Sequence, residues 1–156
     1  MHTIRLRGPW NVEPVARFVA RGGGAFLASA DELPAAEKVT MPADWSATCG
    51  ADFLGRVRYS RIFQTPTGLD DGERVFLVVE GPRSRCAVEL NRKQLADGLA
   101  WSGVGRFEVT KLLEDHNHLE IVVEHPALDE CGMANDDDAD VVGGLVGEVR
   151  LEIEEE

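Results

Sequence analysis

The sequence predicts an all-β fold, an antiparallel sandwich with one or two short helical turns. Three observations predict it. Several short segments alternate apolar and polar residues with period two, one five-residue run is apolar throughout, and turn residues separate them at short intervals.

The elements follow in order along the 156 residues. Ile4 and Leu6 alternate with Thr3, Arg5 and Arg7, which predicts a half-buried first strand. Phe18-Val19-Ala20 and Ala25-Phe26-Leu27 flank Arg21-Gly22-Gly23-Gly24, a turn between two strands. Ala30 to Ala36 has a weak helical tendency that Pro34 interrupts. Asp70-Asp71-Gly72 is a turn before Glu73-Arg74-Val75. Val75 to Val79 is continuously apolar, as a central strand covered on both faces should be. Cys86, Val88 and Leu90 share one strand face, and Leu119, Ile121 and Val123 share another. Val109 to Glu114 is short enough for one helical turn. Val149, Leu151 and Ile153 then alternate with charges in a final half-buried strand. No repeat at solenoid period and no interdomain linker is present, so residues 1–156 are expected to form a single domain. A chain of this length buries roughly 70% of its unfolded surface without staples.

Several of these segments occur in an order that resembles a known family. Leu6-Arg7-Gly8-Pro9-Trp10, Val39-Thr40-Met41-Pro42-Ala43-Asp44-Trp45 and Gly55-Arg56-Val57-Arg58-Tyr59-Ser60-Arg61-Ile62-Phe63 come first. Val75 to Pro82, Cys86 to Asn91, Phe107-Glu108-Val109-Thr110 and Asn117-His118-Leu119-Glu120-Ile121-Val122-Val123 follow. Together they resemble the N-terminal sugar-binding domain of family 2 glycoside hydrolases, the β-galactosidase and β-glucuronidase relatives. That resemblance implies a galactose-binding-like jelly roll. It implies no activity, because the family's catalytic carboxylates lie in a separate barrel that this chain is too short to contain. Two departures bear on ligand contacts. The family's Gly after Asn91 is Arg92 here, and a Gly before its Asn is replaced by Asp115-His116.

The net charge of −12 is concentrated in the C-terminal third, where Glu108 to Glu156 holds sixteen acids against Lys111 and Arg150. An acidic surface repels phosphate backbones, which excludes nucleic acid and anionic membranes as expected partners. No apolar run approaches the roughly 18 residues of a membrane span. Residues 1–9 lack a secretory apolar region, so a cytoplasmic location is expected. Cys49, Cys86 and Cys131 are odd in number and widely spaced, which argues against disulfides or zinc. Cys86 is expected to be a small buried hydrophobe.

Candidate ligand-binding residues are Trp101, Asn91, Trp45, Tyr59 and Asp129. Aromatic rings stack on the C–H faces of sugars, which suits Trp45, Tyr59 and Trp101. Trp101 lies in the turn-rich Gly98 to Gly103 segment, and Trp10 is more easily a core residue. Asn91 marks a hairpin turn. Asp129 opens the acidic interval Pro126 to Val142, where a carboxylate can accept two strong bonds from sugar hydroxyls. The family's corresponding loop reaches toward the active site. A mobile acidic loop is the plainer alternative there. No cofactor is expected. A surface calcium site in the same interval is the one exception weighed, but Asp136-x-Asp138-x-Asp140 fails the EF-hand pattern at Val141 and Gly147. His116, His118 and His125 bracket one strand as solvated histidines. Arg61 shares the parity of Tyr59 and Phe63, so it faces inward and must pair with a carboxylate or reach the surface.

No catalytic constellation is present, and no metal set or catalytic residue is expected. The sequence therefore predicts a non-catalytic carbohydrate-binding or accessory module, not an enzyme, whose partner is a carbohydrate or a glycosidase catalytic domain. The alternative is a structural domain that packs on a separate barrel or on itself, or a remnant of a longer glycosidase. Oligomeric state is left open.

Overall fold

The structure, a computed structural model, describes residues 1–80, 85–100, 103–134 and 142–155. In chain order the strands are β1 (His2–Arg5), β2 (Trp10–Gly22), β3 (Ala25–Ser29), β4 (Glu37–Val39) and β5 (Ala43–Asp44). A single-turn helix α1 (Ser46–Cys49) precedes β6 (Gly55–Gln64), β7 (Glu73–Glu80), β8 (Arg85–Leu90) and β9 (Lys93–Ala100). Then come β10 (Val104–Glu108), β11 (His116–His125), β12 (Gly144–Leu145) and β13 (Val149–Glu155). Among the described residues every named pairing is antiparallel. One sheet runs β1-β13-β7-β10, a second runs β3-β2-β6-β11-β8-β9 with β4 also on β2, and β12 pairs β5. The all-β antiparallel sandwich is therefore the observed architecture.

The core between the two sheets comes from the inward parity of the strands. Leu77 and Val79 from β7, Val57 and Tyr59 from β6, Val88 and Leu90 from β8, and Leu119, Ile121 and Val123 from β11 belong to one cluster, together with Leu151 from β13. Cys86 lies in the same cluster, and burial pushes its thiol up to about 12. Trp10 is fully buried and donates from Nε1 to the Leu6 carbonyl at 2.7 Å.

β2 contains Pro14 well inside a 13-residue strand that is paired on both sides, a place where a missing N–H is normally costly. Two features accommodate it. The pairing with β6 slips between Pro14 and Ala16, and the other edge of β2 passes from β4, which ends opposite Val12, to β3, which begins opposite Arg17. No ladder bond is asked of residue 14 on that edge. The helical turn also lies elsewhere than expected. Residues 109–114 make only a tight turn, with the Leu112 amide donating to the Val109 carbonyl at 2.8 Å. The helix forms instead at Ser46–Cys49, where Asp44 Oδ1 accepts from the Ser46 amide at 2.9 Å.

β7 is covered on both faces, as its apolar run predicts, but among the described residues no third layer of helix or sheet covers it. Phe76 and Val78 point away from the core and are 8% and 1% exposed. Their cross-strand partners are Glu152 and Arg150 on β13 and Glu108 and Arg106 on β10. These side chains form the roof. The Arg106 guanidinium lies 3.6 Å from the Phe76 ring centroid, and Arg74 lies 5.4 Å from it. Ion pairs run continuously from Arg5 through Glu148 (2.8 Å), Arg150, Glu152 (2.9 Å) and Arg106 to Glu154 (2.6 Å), with Glu80 joining Arg150 at 3.1 Å. Magnitudes decide what the roof contributes. Burying Phe76 and Val78 is worth about 1.5–3 kcal/mol each, whereas an exposed ion pair gives about 0.2–1 kcal/mol. The arginine stems that exclude water matter more than the charges at their ends.

Glu152 is the carboxylate at the centre of the roof. Its hydrogen bond from Arg150, and then that from Arg106, hold its carboxyl below the ordinary value of 4.5. A carboxyl with a depressed folded-state value stabilises the fold above its unfolded value and loses that contribution as pH falls through the folded one. Chemical denaturation between pH 6 and pH 2.5 should accordingly show stability falling from about pH 4.5 downward, and Glu152→Gln should make that acid limb shallower.

Candidate functional site

The outward residues of four consecutive strands make one groove on the seven-stranded sheet. Register sets its composition in rows that cross the strands. Arg56 on β6, Glu124 on β11 and Arg85 on β8 form the first row. Arg58, Val122, Ala87 and Asp97 form the second, and Ser60, Glu120, Glu89 and Gln94 the third. Small side chains in the second row leave the floor low. Three contiguous depressions result. One of about 520 Å³ lies around Arg56, Arg85, Asp97, Glu124 and Asp129, one of about 220 Å³ around Ala87, Gln94, Asp97 and Val122, and one of about 390 Å³ around Glu89, Asn91, His116, His118 and Glu120. The first two share Ala87, Asp97 and Val122, and the last two share Glu89 and Glu120.

The first row is internally paired. Glu124 sits between two arginines, 2.5 Å from Arg85 Nη2 and 3.3 Å from Arg56 Nη2, and Arg85 Nη2 also donates to the Leu128 carbonyl at 3.0 Å. Both arginine side chains remain about 40% exposed and line the groove. The third row is different. Glu89 and Glu120 stand directly opposite each other and, among the described residues, form no ion pair, and Asp97 in the second row likewise forms none. Free carboxylates and paired arginines along a shallow polar groove can accept from and donate to hydroxyl groups.

The structure distributes the residues singled out from sequence. Trp45 is 1% exposed, donates from Nε1 to the Phe53 carbonyl at 3.2 Å and packs edge-on against Phe53 and His125. Tyr59 is also 1% exposed, and burial raises its phenol well above its ordinary value. Neither offers a ring face to a sugar, a correction with a plain cause: inward parity on β6 and the close fit of Trp45 under the Gly143-Gly144 pair. A Cβ on Gly143 would stand 2.4 Å from the Trp45 ring. Trp101 lies outside the described residues, as do Asp136, Asp137, Asp138 and Asp140. Gly98 to Ala100, expected in a loop, belongs to β9.

Asn91 and Asp129 both border the groove, at its two ends, and both are engaged by the fold. Asp129 Oδ1 accepts from the Cys131 and Met133 amides at 2.8 and 2.9 Å, closing a turn. Asn91 donates from Nδ2 to the Leu112 carbonyl and to Asn117 Oδ1, and accepts from the His118 amide. Asn117, fully buried, in turn donates to the Phe63 carbonyl at 3.2 Å and Thr65 Oγ1 at 3.0 Å and accepts from the Glu114 amide at 2.8 Å. The two asparagines thus tie the β8–β9 turn to the loop before β11. His116 and His118 are exposed at the groove, but His125 is buried and not the solvated histidine expected. Among the described residues, no group of three or more His, Cys, Asp or Glu side chains converges to hold a metal ion, and no helix is long and apolar enough to cross a membrane.

The groove itself escaped sequence reasoning. The alternation along β8 and β11 marks Arg85, Ala87, Glu89, Glu120, Val122 and Glu124 as outward, but which strands lie side by side is not contained in that alternation.

No family model matches the chain, and no curated protein matches it. Solved structures do. Over 97% of its length the chain is similar to an FMN-binding β-glucuronidase from Facaelibacterium prausnitzii L2-6, with a TM-score of 0.70 and 26% identity, covering 22% of that protein. A β-glycosidase from Bacteroides vulgatus matches over 99% of the chain and 20% of its own length, with a TM-score of 0.67 and 16% identity. A glycosyl hydrolase family 2 member from Bacteroides cellulosilyticus matches over 99% and 21%, with a TM-score of 0.65 and 13% identity. The chain spans about a fifth of these glycosidases. Its likeness is to a small N-terminal-like domain of family 2 enzymes, the resemblance carried by its sequence segments.

Two substitutions check the local account. Asn117→Ala removes four hydrogen bonds in a buried position and should cost about 3 kcal/mol in denaturant unfolding. Asn91 and Arg92 both adopt positive φ, 50° and 68°, as a two-residue hairpin turn demands. Glycine is free of the Cβ strain there, so Arg92→Gly should stabilise the protein by about 1 kcal/mol, read as a rise in melting temperature.

Proposed function

We propose that this chain is a non-catalytic carbohydrate-binding module that takes saccharide along the groove of its seven-stranded sheet. The observation that carries the proposal is the groove's chemistry: unpaired Glu89, Glu120 and Asp97, with Gln94 and the two exposed arginines, spaced along a floor lowered by Ala87 and Val122. The likeness to glycosidases supports a sugar as the ligand class. The groove's free charges are mainly carboxylates, which favours a neutral saccharide over a polyanionic one.

A second role has support of its own. Because the chain corresponds to about a fifth of each glycosidase it resembles, it also suits an accessory domain that works beside a catalytic barrel. The two roles are compatible, since an accessory domain can bind sugar.

Isothermal titration against neutral mono- and oligosaccharides tests the binding role. At least one should bind, and Glu89→Gln with Asp97→Asn should weaken it about tenfold, the effect of losing charge-assisted bonds. Trp101→Ala in the same titration tests the aromatic candidate that follows β9. Absence of heat and of amide chemical-shift change with every saccharide would remove the carbohydrate role and leave the accessory one.

A further inference from the structure

The saccharide role makes no use of one pair of side chains at the end of the groove. His116 and His118 stand two residues apart on β11, so both project from the outer face of the seven-stranded sheet. Both are exposed, and both line the depression of about 390 Å³ together with Glu89, Glu114, Glu120, Asn91 and Arg92. Among the described residues neither imidazole makes a hydrogen bond, an ion pair or a ring contact. The other two histidines are placed differently, His125 in the core and His2 on β1 of the opposite sheet.

The backbone under the pair is firmly held. The residue between them is the buried Asn117, whose side chain bonds to Phe63, Thr65, Asn91 and Glu114. On one side the strand is in register with β6, with His116 opposite Gln64 and His118 opposite Ile62. On the other, the His118 amide donates to Asn91 Oδ1 at 2.8 Å, and its carbonyl accepts from the Asn91 amide at 2.9 Å. The two Cα atoms are thereby fixed about 7 Å apart, the two-residue rise of a strand. Two imidazoles on such a base can tilt their tips to one point, where a metal ion asks for a nitrogen at about 2.0–2.1 Å.

Ligand type and charge narrow the choice of ion. Neutral imidazole suits zinc, copper and nickel, whereas magnesium and calcium prefer oxygen. Three glutamates against one arginine line the depression, so its field favours a cation. Among the described residues no third His, Cys, Asp or Glu converges with the pair, so water fills the remaining positions.

We propose that His116 and His118 form a two-imidazole site for a divalent transition metal of the zinc class at the end of the groove. The site goes beyond the saccharide role and does not rest on it. A saccharide titration run in EDTA reports on the groove alone, so either role can fail alone.

Isothermal titration of the metal-free protein with zinc chloride tests it. One zinc should bind per chain, and lowering the pH from 7.5 to 5.5 should weaken binding, because only a neutral imidazole ligates and protons compete. His116→Gln and His118→Gln should each cost about tenfold or more, since the loss of a residue that merely orients a ligand already costs about 10–100-fold. Both side chains are exposed, so the variants should melt with the parent in EDTA, which separates loss of the site from loss of the fold. His2→Gln and Cys131→Ser should bind zinc as the parent does. In NMR spectra the ring resonances of His116 and His118 should move together and stop moving at one equivalent. Three results would overturn the proposal: no zinc heat, zinc heat that survives the double substitution, or an equal response to magnesium.

Discussion

The pairing of β11 with β6 on one side and β8 on the other is the constraint on which the rest of the molecule depends. Ten residues of β11 are in register with β6 and six with β8, without a bulge in either ladder. Because side chains alternate strictly across a sheet, a slip of one residue would exchange the two faces completely. Leu119, Ile121 and Val123 would leave the core, and Glu120, Val122 and Glu124 would enter it. The core and the groove are therefore one choice of register seen from two sides. Asn117 fixes that register at its start by binding the end of β6 and the turn after β8 together.

The two sheets solve their outer faces differently. On the four-stranded sheet, cross-strand neighbours of Phe76 and Val78 are long, charged and mutually neutralising, so they fold over the apolar strand and close it. On the seven-stranded sheet, the neighbours of Val122 are Arg58 and Ala87. A short residue there leaves the strand open, and the carboxylates on the next row stay unpaired. Identical backbone geometry thus yields a sealed surface on one side and an accessible one on the other, according to side-chain length and charge pairing.

Much of this was legible in the sequence where one strand suffices to read it. The apolar run of β7, the alternation of β8, β11 and β13, the turn at Gly22 to Gly24 and the inward parity of Arg61 all appear as expected. So does the burial of Cys86. What was illegible depends on contacts between distant segments. Trp45 looks like a free ring until Gly143 is seen packed against it, and Asn91 looks like a ligand contact until its amide is found spent on Leu112, Asn117 and His118. Pro14 is accommodated inside β2 by the exchange of β4 for β3 along one edge and by the slip against β6 on the other, and neither is visible from β2 alone. Arg61 keeps the expected inward parity and stays partly exposed, with no ion pair and with Nε and Nη1 lacking a hydrogen-bond partner among the described residues.

The roof of arginines over Phe76 also restricts how this molecule can associate. Arg106 and Arg150 have their guanidinium groups committed to Glu152, Glu154, Glu80 and Glu148, and those carboxylates are committed in return. A neighbour settling on that face would have to displace saturated ion pairs to reach any apolar surface beneath. The molecule is in this sense two-sided, with one flank insulated by its own charges and the other carrying an open groove with unpaired carboxylates.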